Sequence, residues 1–78
     1  MRILTTYPGF ILKNGKLNSG HVKWIQARLN LARHGNLLVD GDFGDETEGV
    51  VTTFQRIHHL EQDGKVGRNT WRALNAVR

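Results

Sequence analysis

Apolar residues along the middle of this chain recur at helical spacing. Behind Ser19, a good N-cap, Val22, Ile25, Leu29 and Ala32 stand three or four residues apart on one stripe, which predicts a helix that stops before Gly35. A second stripe, Val50, Val51, Phe54 and Ile57 or His58, predicts a helix from about Asp45 to His59. Trp71 and Leu74 mark the buried side of a third, shorter helix from about Arg68 to the C-terminus. Ahead of Ser19 the pattern dissolves. Ile3-Leu4, Phe10-Ile11-Leu12 and Leu17 are cut apart by Pro8-Gly9 and the turn dipeptide Asn14-Gly15, so this arm reads as mostly irregular, a loose hairpin or a wrapped segment. The expected fold is all-α: a three-helix bundle forming one domain over residues 1–78, with an arm at 1–18 and a helical core at 19–78.

Between the helices lies a duplication. Asp40-Gly41-Asp42-Phe43-Gly44-Asp45-Glu46-Thr47 and Asp63-Gly64-Lys65-Val66-Gly67-Arg68-Asn69-Thr70, offset by 23 residues, agree at Asp, Gly, an apolar residue, Gly and Thr. Turn propensity alone does not produce that agreement, so the chain carries an internal repeat. Gln26 and Gln55 extend it, each following an apolar residue, Ile25 or Phe54. Gln26 stands 14 residues before Asp40 and Gln55 stands 8 before Asp63, which places an insertion at Ala32 to Leu38 in the first copy. The unit is helix then loop, and two units sharing helices end to end make three helices about an approximate two-fold axis.

The repeat also constrains how each helix starts. Gly44 and Gly67 are expected to take a positive φ or to allow a close backbone approach, while Phe43 and Val66 plug the core just ahead of each helix. Asp45 with Glu48 looks like a capping box, yet the counterpart of Asp45 is Arg68, which cannot cap. Both copies are served if the residue after the second glycine opens the helix and the Thr47 and Thr70 hydroxyls satisfy free amides in the first turn. Asp40 and Asp63 then bond amides inside their own loops.

The ordered residues Gly20-x-Val22-x-x-Ile25-Gln26-x-x-Leu29-Asn30, Val39-Asp40-Gly41-x-Phe43-Gly44-x-x-Thr47, Val51-x-x-Phe54-Gln55 and Asp63-Gly64-x-Val66-Gly67-x-x-Thr70-Trp71-x-x-Leu74 resemble the peptidoglycan-binding domain family of three-helix wall-targeting modules. The resemblance runs from about Lys13 to Leu74. It implies a non-catalytic module that binds peptidoglycan and tethers a linked lytic or wall-remodelling enzyme, such as a phage endolysin, to its substrate. Its implied ligand is muropeptide, a glycan strand with carboxylate-rich stem peptides, and the covalently linked enzyme supplies the chemistry. Three departures stand out. Asp45 and Arg68 occupy places where the family often has Pro, Trp24 stands where a polar residue is common, and the Met1 to Lys13 arm lies outside the motif.

Composition agrees with an anionic partner without choosing one. The formal net charge is +4, from 11 Lys+Arg against 7 Asp+Glu. There is no cysteine, hence neither a disulfide framework nor a thiolate metal site. Met1 to Leu12 holds no apolar run long enough for a signal peptide, and no segment is long enough to span a membrane. A phage endolysin starting this way is expected to accumulate in the host cytoplasm and to act at the cell wall or periplasm once the membrane is permeabilised. No membrane or nucleic-acid partner is expected, and the chain is read as a monomer that needs no cofactor.

Metal and catalytic chemistry find little footing. No two of His21, His34, His58 and His59 have His-x-x-x-His spacing, and Asp40-x-Asp42-x-Gly44 begins like a calcium loop without its fifth and sixth positions. Ser19 is the only serine and serves best as a cap. A compact lytic enzyme and a small basic helical DNA-binding domain are the alternatives in other classes. For the latter, helix two offers Thr53 and Arg56 but also Glu46 and Glu48, which face phosphate badly.

Repetition assigns Asp40, Gly41, Phe43, Gly44 and Thr47, with Asp63, Gly64, Val66, Gly67 and Thr70, to loop architecture, since both copies need the same turn whatever they bind. Gln26 and Gln55 take the same reading. Specificity is sought instead among unrepeated residues. At about 100° per residue from Val22, Trp24 falls near 200°, Arg28 near 240° and Leu31 near 180°, off the inward stripe. An aromatic, a cation and an aliphatic residue on one outer face have the chemistry to stack on a sugar and pair with a carboxylate. The alternative is that the arm covers them through Phe10, Ile11 or Leu12. Trp71 anchors the core, and its edge is the fourth candidate for ligand contact.

Overall fold

In the computed structural model, which describes residues 5–77, helices occupy Gly20–Leu31 (α1), Asp45–Ile57 (α2) and Arg68–Asn75 (α3). The all-α reading holds, and α1 packs against both α2 and α3. The Ile3-Leu4 run lies outside the described residues. Ser19 caps α1, its Oγ accepting the Val22 amide at 3.3 Å. Val22, Ile25 and Leu29 are buried as the stripe requires, together with Gln26. Ala32 is half-buried at the C-cap.

α2 and α3 open at the residue after the second glycine of each loop. The glycines behave differently from the expectation. Gly44 (φ −109°) and Gly67 (φ −95°) are ordinary extended N-caps, and a Cβ on either would meet nothing within 4 Å. Positive φ belongs to Gly41 (+83°) and Gly64 (+72°), because the chain reverses right behind each loop aspartate.

Both longer helices end alike. Arg33 (φ 64°) and His59 (φ 58°) sit in the left-handed region just past the caps. The Arg33 and His34 amides reach back to the Asn30 and Leu29 carbonyls at 2.9 and 3.4 Å. Those of His59 and Leu60 reach Arg56 and Gln55 at 3.2 and 2.8 Å. This is the Schellman arrangement, and it usually takes glycine at the left-handed position. α2 therefore stops short of His59. Ile57, its last residue, is exposed rather than inward, while Val51 and Phe54 are buried and Val50 is half-buried. His58 is exposed too but lays its ring on Phe54, centroids 4.1 Å apart. α3 buries Trp71 and Leu74 and ends at Asn75 instead of continuing to the terminus.

The arm joins the two loops. Leu12 exchanges amide and carbonyl bonds with Val66 at 3.1 and 2.8 Å, an isolated antiparallel bridge. After a tight turn closed by the Lys16 amide on the Lys13 carbonyl (3.1 Å), the Lys16 carbonyl takes the Phe43 amide and the Phe43 carbonyl takes the Gly15 amide, both at 2.8 Å. Phe43 and Val66, the two plugs, are fully buried, as is Leu12. Burial of each contributes about 1.5–3 kcal/mol relative to exposure. Further out, Thr5 is held to α3: its amide donates to Asn75 Oδ1 (3.1 Å), and its carbonyl accepts Trp71 Nε1 (2.9 Å) and Asn75 Nδ2 (2.7 Å). The arm is thus part of the core even though most of it is irregular.

Candidate functional site

Each loop is organised by one buried glutamine. Gln26 Oε1 accepts the Asp40 and Gly41 amides, both at 3.0 Å. Its Nε2 faces Asp40 Oδ1, the Asp42 carbonyl and Thr47 Oγ1, each at 3.1 Å. Gln55 repeats the pattern, accepting the Gly64 amide at 3.0 Å and facing Asp63 Oδ1 (3.0 Å), the Lys65 carbonyl (2.8 Å) and Thr70 Oγ1 (3.1 Å). Thr47 and Thr70 therefore turn their hydroxyls to the glutamine amide, which they share with the loop aspartate and a loop carbonyl, instead of capping first-turn amides. The two aspartates behave as their spacing requires: Asp40 takes the Asp42 amide at 2.9 Å and Asp63 the Lys65 amide at 3.0 Å. That bond, followed by the one from Gln26, holds the Asp40 carboxyl below the usual carboxylate range.

The first copy carries extra ties. Asn30, the last residue of the α1 motif, fixes the insertion by taking the Leu37 amide on Oδ1 (2.7 Å) and giving Nδ2 to the Leu37 carbonyl (2.9 Å). Its counterpart four residues after Gln55 is His59, so no repeat signal exposes it. Asn14 donates to Asp45 (2.7 Å), and the Asn18 amide to Asp42 (2.9 Å).

A shallow groove opens beside each loop. The first, about 320 Å³, is lined by Leu17, Leu37 and Leu38 together with Asp40, Asp42, Asp45 and Glu46. The second, about 180 Å³, is lined by Leu60, Glu61, Asp63, Lys65, Arg68 and Asn69. Apart from Leu17, which the arm supplies, the 23-residue offset carries these linings onto one another: Leu37 onto Leu60, Leu38 onto Glu61, Asp42 onto Lys65, Asp45 onto Arg68 and Glu46 onto Asn69.

The four unrepeated candidates come together only in part. Trp24 and Arg28 are only partly open to solvent. Trp24 is half-buried, its ring stacked on Trp71 with centroids 4.2 Å apart at 23°. Arg28 lies 5.6 Å from the Trp24 ring, gives Nε to the Leu74 carbonyl (2.9 Å), and gives Nη2 to the carbonyls of Asn75 (3.0 Å) and Val77. It places a cation at the C-terminal end of α3, where the helix dipole and free carbonyls favour one. A single stripe misjudged this because α1 has a helix on two sides, which widens its buried arc. Nor does the arm cover the pair through Phe10 or Ile11, which are exposed; Leu12 turns inward to Val66. Trp71 is buried, with Tyr7 edge-on at 5.9 Å. Leu31 is exposed. Among the described residues no group of three His, Cys, Asp or Glu is placed to hold a metal.

This two-copy frame has known counterparts. The sequence model of the peptidoglycan binding domain family matches residues 18–74. The chain belongs to the peptidoglycan-binding domain family. It is 38% identical over 74 residues to a probable N-acetylmuramoyl-L-alanine amidase of Bacillus licheniformis, a match covering 88% of this chain and 20% of the amidase. The chain thus spans about a fifth of that relative's length. The fold superposes on a peptidoglycan-binding protein of Clostridioides difficile, crystallised with glutamine hydroxamate, with a TM-score of 0.80 at 34% identity. That match covers 92% of this chain and 44% of the other. The SleB N-terminal domain gives a TM-score of 0.82 at 28% identity, covering 88% and 93% of the two chains. Family membership makes this chain a non-catalytic wall-binding module and sets aside the DNA-binding alternative.

Proposed function

We propose that this module holds a linked wall-cleaving enzyme, of amidase or endolysin type, against peptidoglycan. The observation that carries the reading is the match to an amidase of which this chain corresponds to only a fifth. In such an arrangement the module supplies contact and its partner domain supplies hydrolysis, leading to bacteriolysis at the cell wall. For a phage endolysin the host cytoplasm is the place of storage before release. The module acts as a monomer on muropeptide, and modest affinity suffices, because covalent linkage and a repeating polymer raise the effective concentration. Net positive charge favours the approach to an anionic wall.

Of the α1 face, Trp24 and Leu31 offer surface to a glycan, while Arg28 and Trp71 hold Trp24 in place behind it. An aromatic ring braced on one side is a stiff platform for a sugar. The test is sedimentation with purified, protein-free peptidoglycan, beside a DNA shift assay and a turbidity assay on wall suspensions. The chain should pellet with the wall, leave DNA unshifted and leave turbidity unchanged. Retention in the supernatant at low salt would contradict wall binding.

A further inference from the structure

The two grooves share a scaffold but not a surface. Leu38 and Leu17, with 74% and 65% of their surface exposed, are the two most exposed large apolar side chains among the described residues, and both line the first groove. Apolar side chains left in water together mark a contact surface more often than chance placement does. The same groove is lined by four of the seven acidic residues of a chain whose net charge is +4. Asp40, Asp42 and Asp45 each spend an oxygen on a loop or arm donor. Glu46, by contrast, is exposed at the start of α2 and has no partner among the described residues. The second groove serves as an internal control. Built on the same turn, it carries Glu61 in place of Leu38 and Lys65, Arg68 and Asn69 in place of Asp42, Asp45 and Glu46. The turn therefore does not demand carboxylates or exposed leucines at these positions.

We propose that the first groove docks only the part of a short peptide that carries a free primary ammonium on an aliphatic side chain, the methylene stem lying on Leu17 and Leu38, the ammonium meeting Glu46 and the outer carboxylate edge, and the peptide's own carboxylates staying outside the groove. Resting on the peptidoglycan reading, this makes the occupant a stem peptide whose side-chain amine has not been cross-linked. Gln26 stands about 200° round α1 from Trp24, so the peptide groove and the glycan face lie on opposite flanks of that helix. The second groove, with Lys65 and Arg68 at its rim, does not take this ligand.

The test titrates the intact chain with a soluble muropeptide monomer bearing a free side-chain amine, and with the same muropeptide after N-acetylation. Acetylation should weaken binding about fivefold, the scale of one partly exposed ion pair. Glu46→Lys should weaken binding of the free-amine form by a similar factor and leave the acetylated form unchanged. Leu38→Ser should weaken both. Both residues are exposed, and unchanged melting temperatures would show that the variants fold. Equal affinity for the two muropeptides overturns the proposal, as does a Glu46→Lys chain that still prefers the free amine. Sedimentation with insoluble wall separates the two levels: a chain that pellets but ignores acetylation loses the groove and keeps the function. A chain that never pellets loses both.

Discussion

The first and second loops are the same turn built twice, and their differences separate what the fold needs from what it leaves free. In both, one glutamine from the preceding helix collects the loop aspartate, a loop amide, a loop carbonyl and the threonine of the next helix. In both, an apolar plug between the glycines is fully buried and pairs with the arm. None of this varies, and only the aspartates reach the surface. What varies is the rim, acidic and aliphatic in the first copy and mixed in the second. The residue after the threonine varies as well: Glu48 in the first copy, Trp71 in the second. A shared polar cluster in a duplicated chain is therefore weak ground for a binding site, whereas divergence at equivalent places is stronger ground.

The largest expected break comes at Trp71, whose place in the first copy is taken by Glu48. It is buried, stacks on Trp24 and donates to Thr5. Trp71→Ala should cost about 3–5 kcal/mol, enough to unfold much of so small a domain, as thermal or urea unfolding would show. Trp24→Ala, at a half-buried partner in the same stack, should cost less than Trp71→Ala. An equal or larger loss would mean that the stack and not the core position of Trp71 dominates.

Next come the glutamines. Gln26→Ala strands the Asp40 and Gly41 amides, and Gln55→Ala strands the Gly64 amide. At about 1–3 kcal/mol per unsatisfied buried group, both variants should be clearly destabilised and the Gln26 variant the more so. Equal losses would show that the two networks are energetically as well as geometrically equivalent.

Smaller, and sharper as a comparison, are the two positive-φ glycines. A Cβ at position 41 would stand 3.0 and 3.1 Å from the backbone oxygen and nitrogen of Ser19, which cannot move without disturbing the start of α1. At position 64 it would meet the Glu48 side chain at 2.9 Å, which can swing away, and Thr52 Oγ1 at 3.2 Å. Both substitutions pay the left-handed backbone penalty of about 1–2 kcal/mol. Gly41→Ala should lose more in melting temperature than Gly64→Ala, whereas Gly67→Ser, at an extended N-cap with open space, should gain a few tenths of a kcal/mol.

The smallest effect is acid sensitivity. Asp40 is held below the usual carboxylate range when folded, so its contribution is fully present above that range and is lost as pH falls through the folded value. Melting temperature followed from pH 7 into strong acid should fall less steeply for Asp40→Asn than for the wild type.

Much of this molecule was legible in its sequence because the repeat supplied two readings of each position. Helix starts at Asp45 and Arg68 and the burial of Phe43, Val66, Trp71 and Leu74 followed from periodicity plus register. Two of the errors have a common cause, the neglect of partners distant in sequence. Proximity in sequence favours nearby amides as partners for Thr47 and Thr70, but a glutamine from the previous helix reaches them first. Arg28 looked outward on a wheel that knew only one neighbouring helix, and α3 claims it. Left-handed Arg33 and His59 carried no signal, since neither is the glycine such a turn prefers.

The claim that the repeated loops are scaffold while binding sits on unrepeated surface is tested most directly by titrating isotope-labelled chain with soluble muropeptide and following backbone amide shifts. The account predicts shifts at Leu17, Leu38 and Glu46, with Gly64, Lys65 and Thr70 of the second copy unmoved. Equal movement of the equivalent residues in both loops would contradict it.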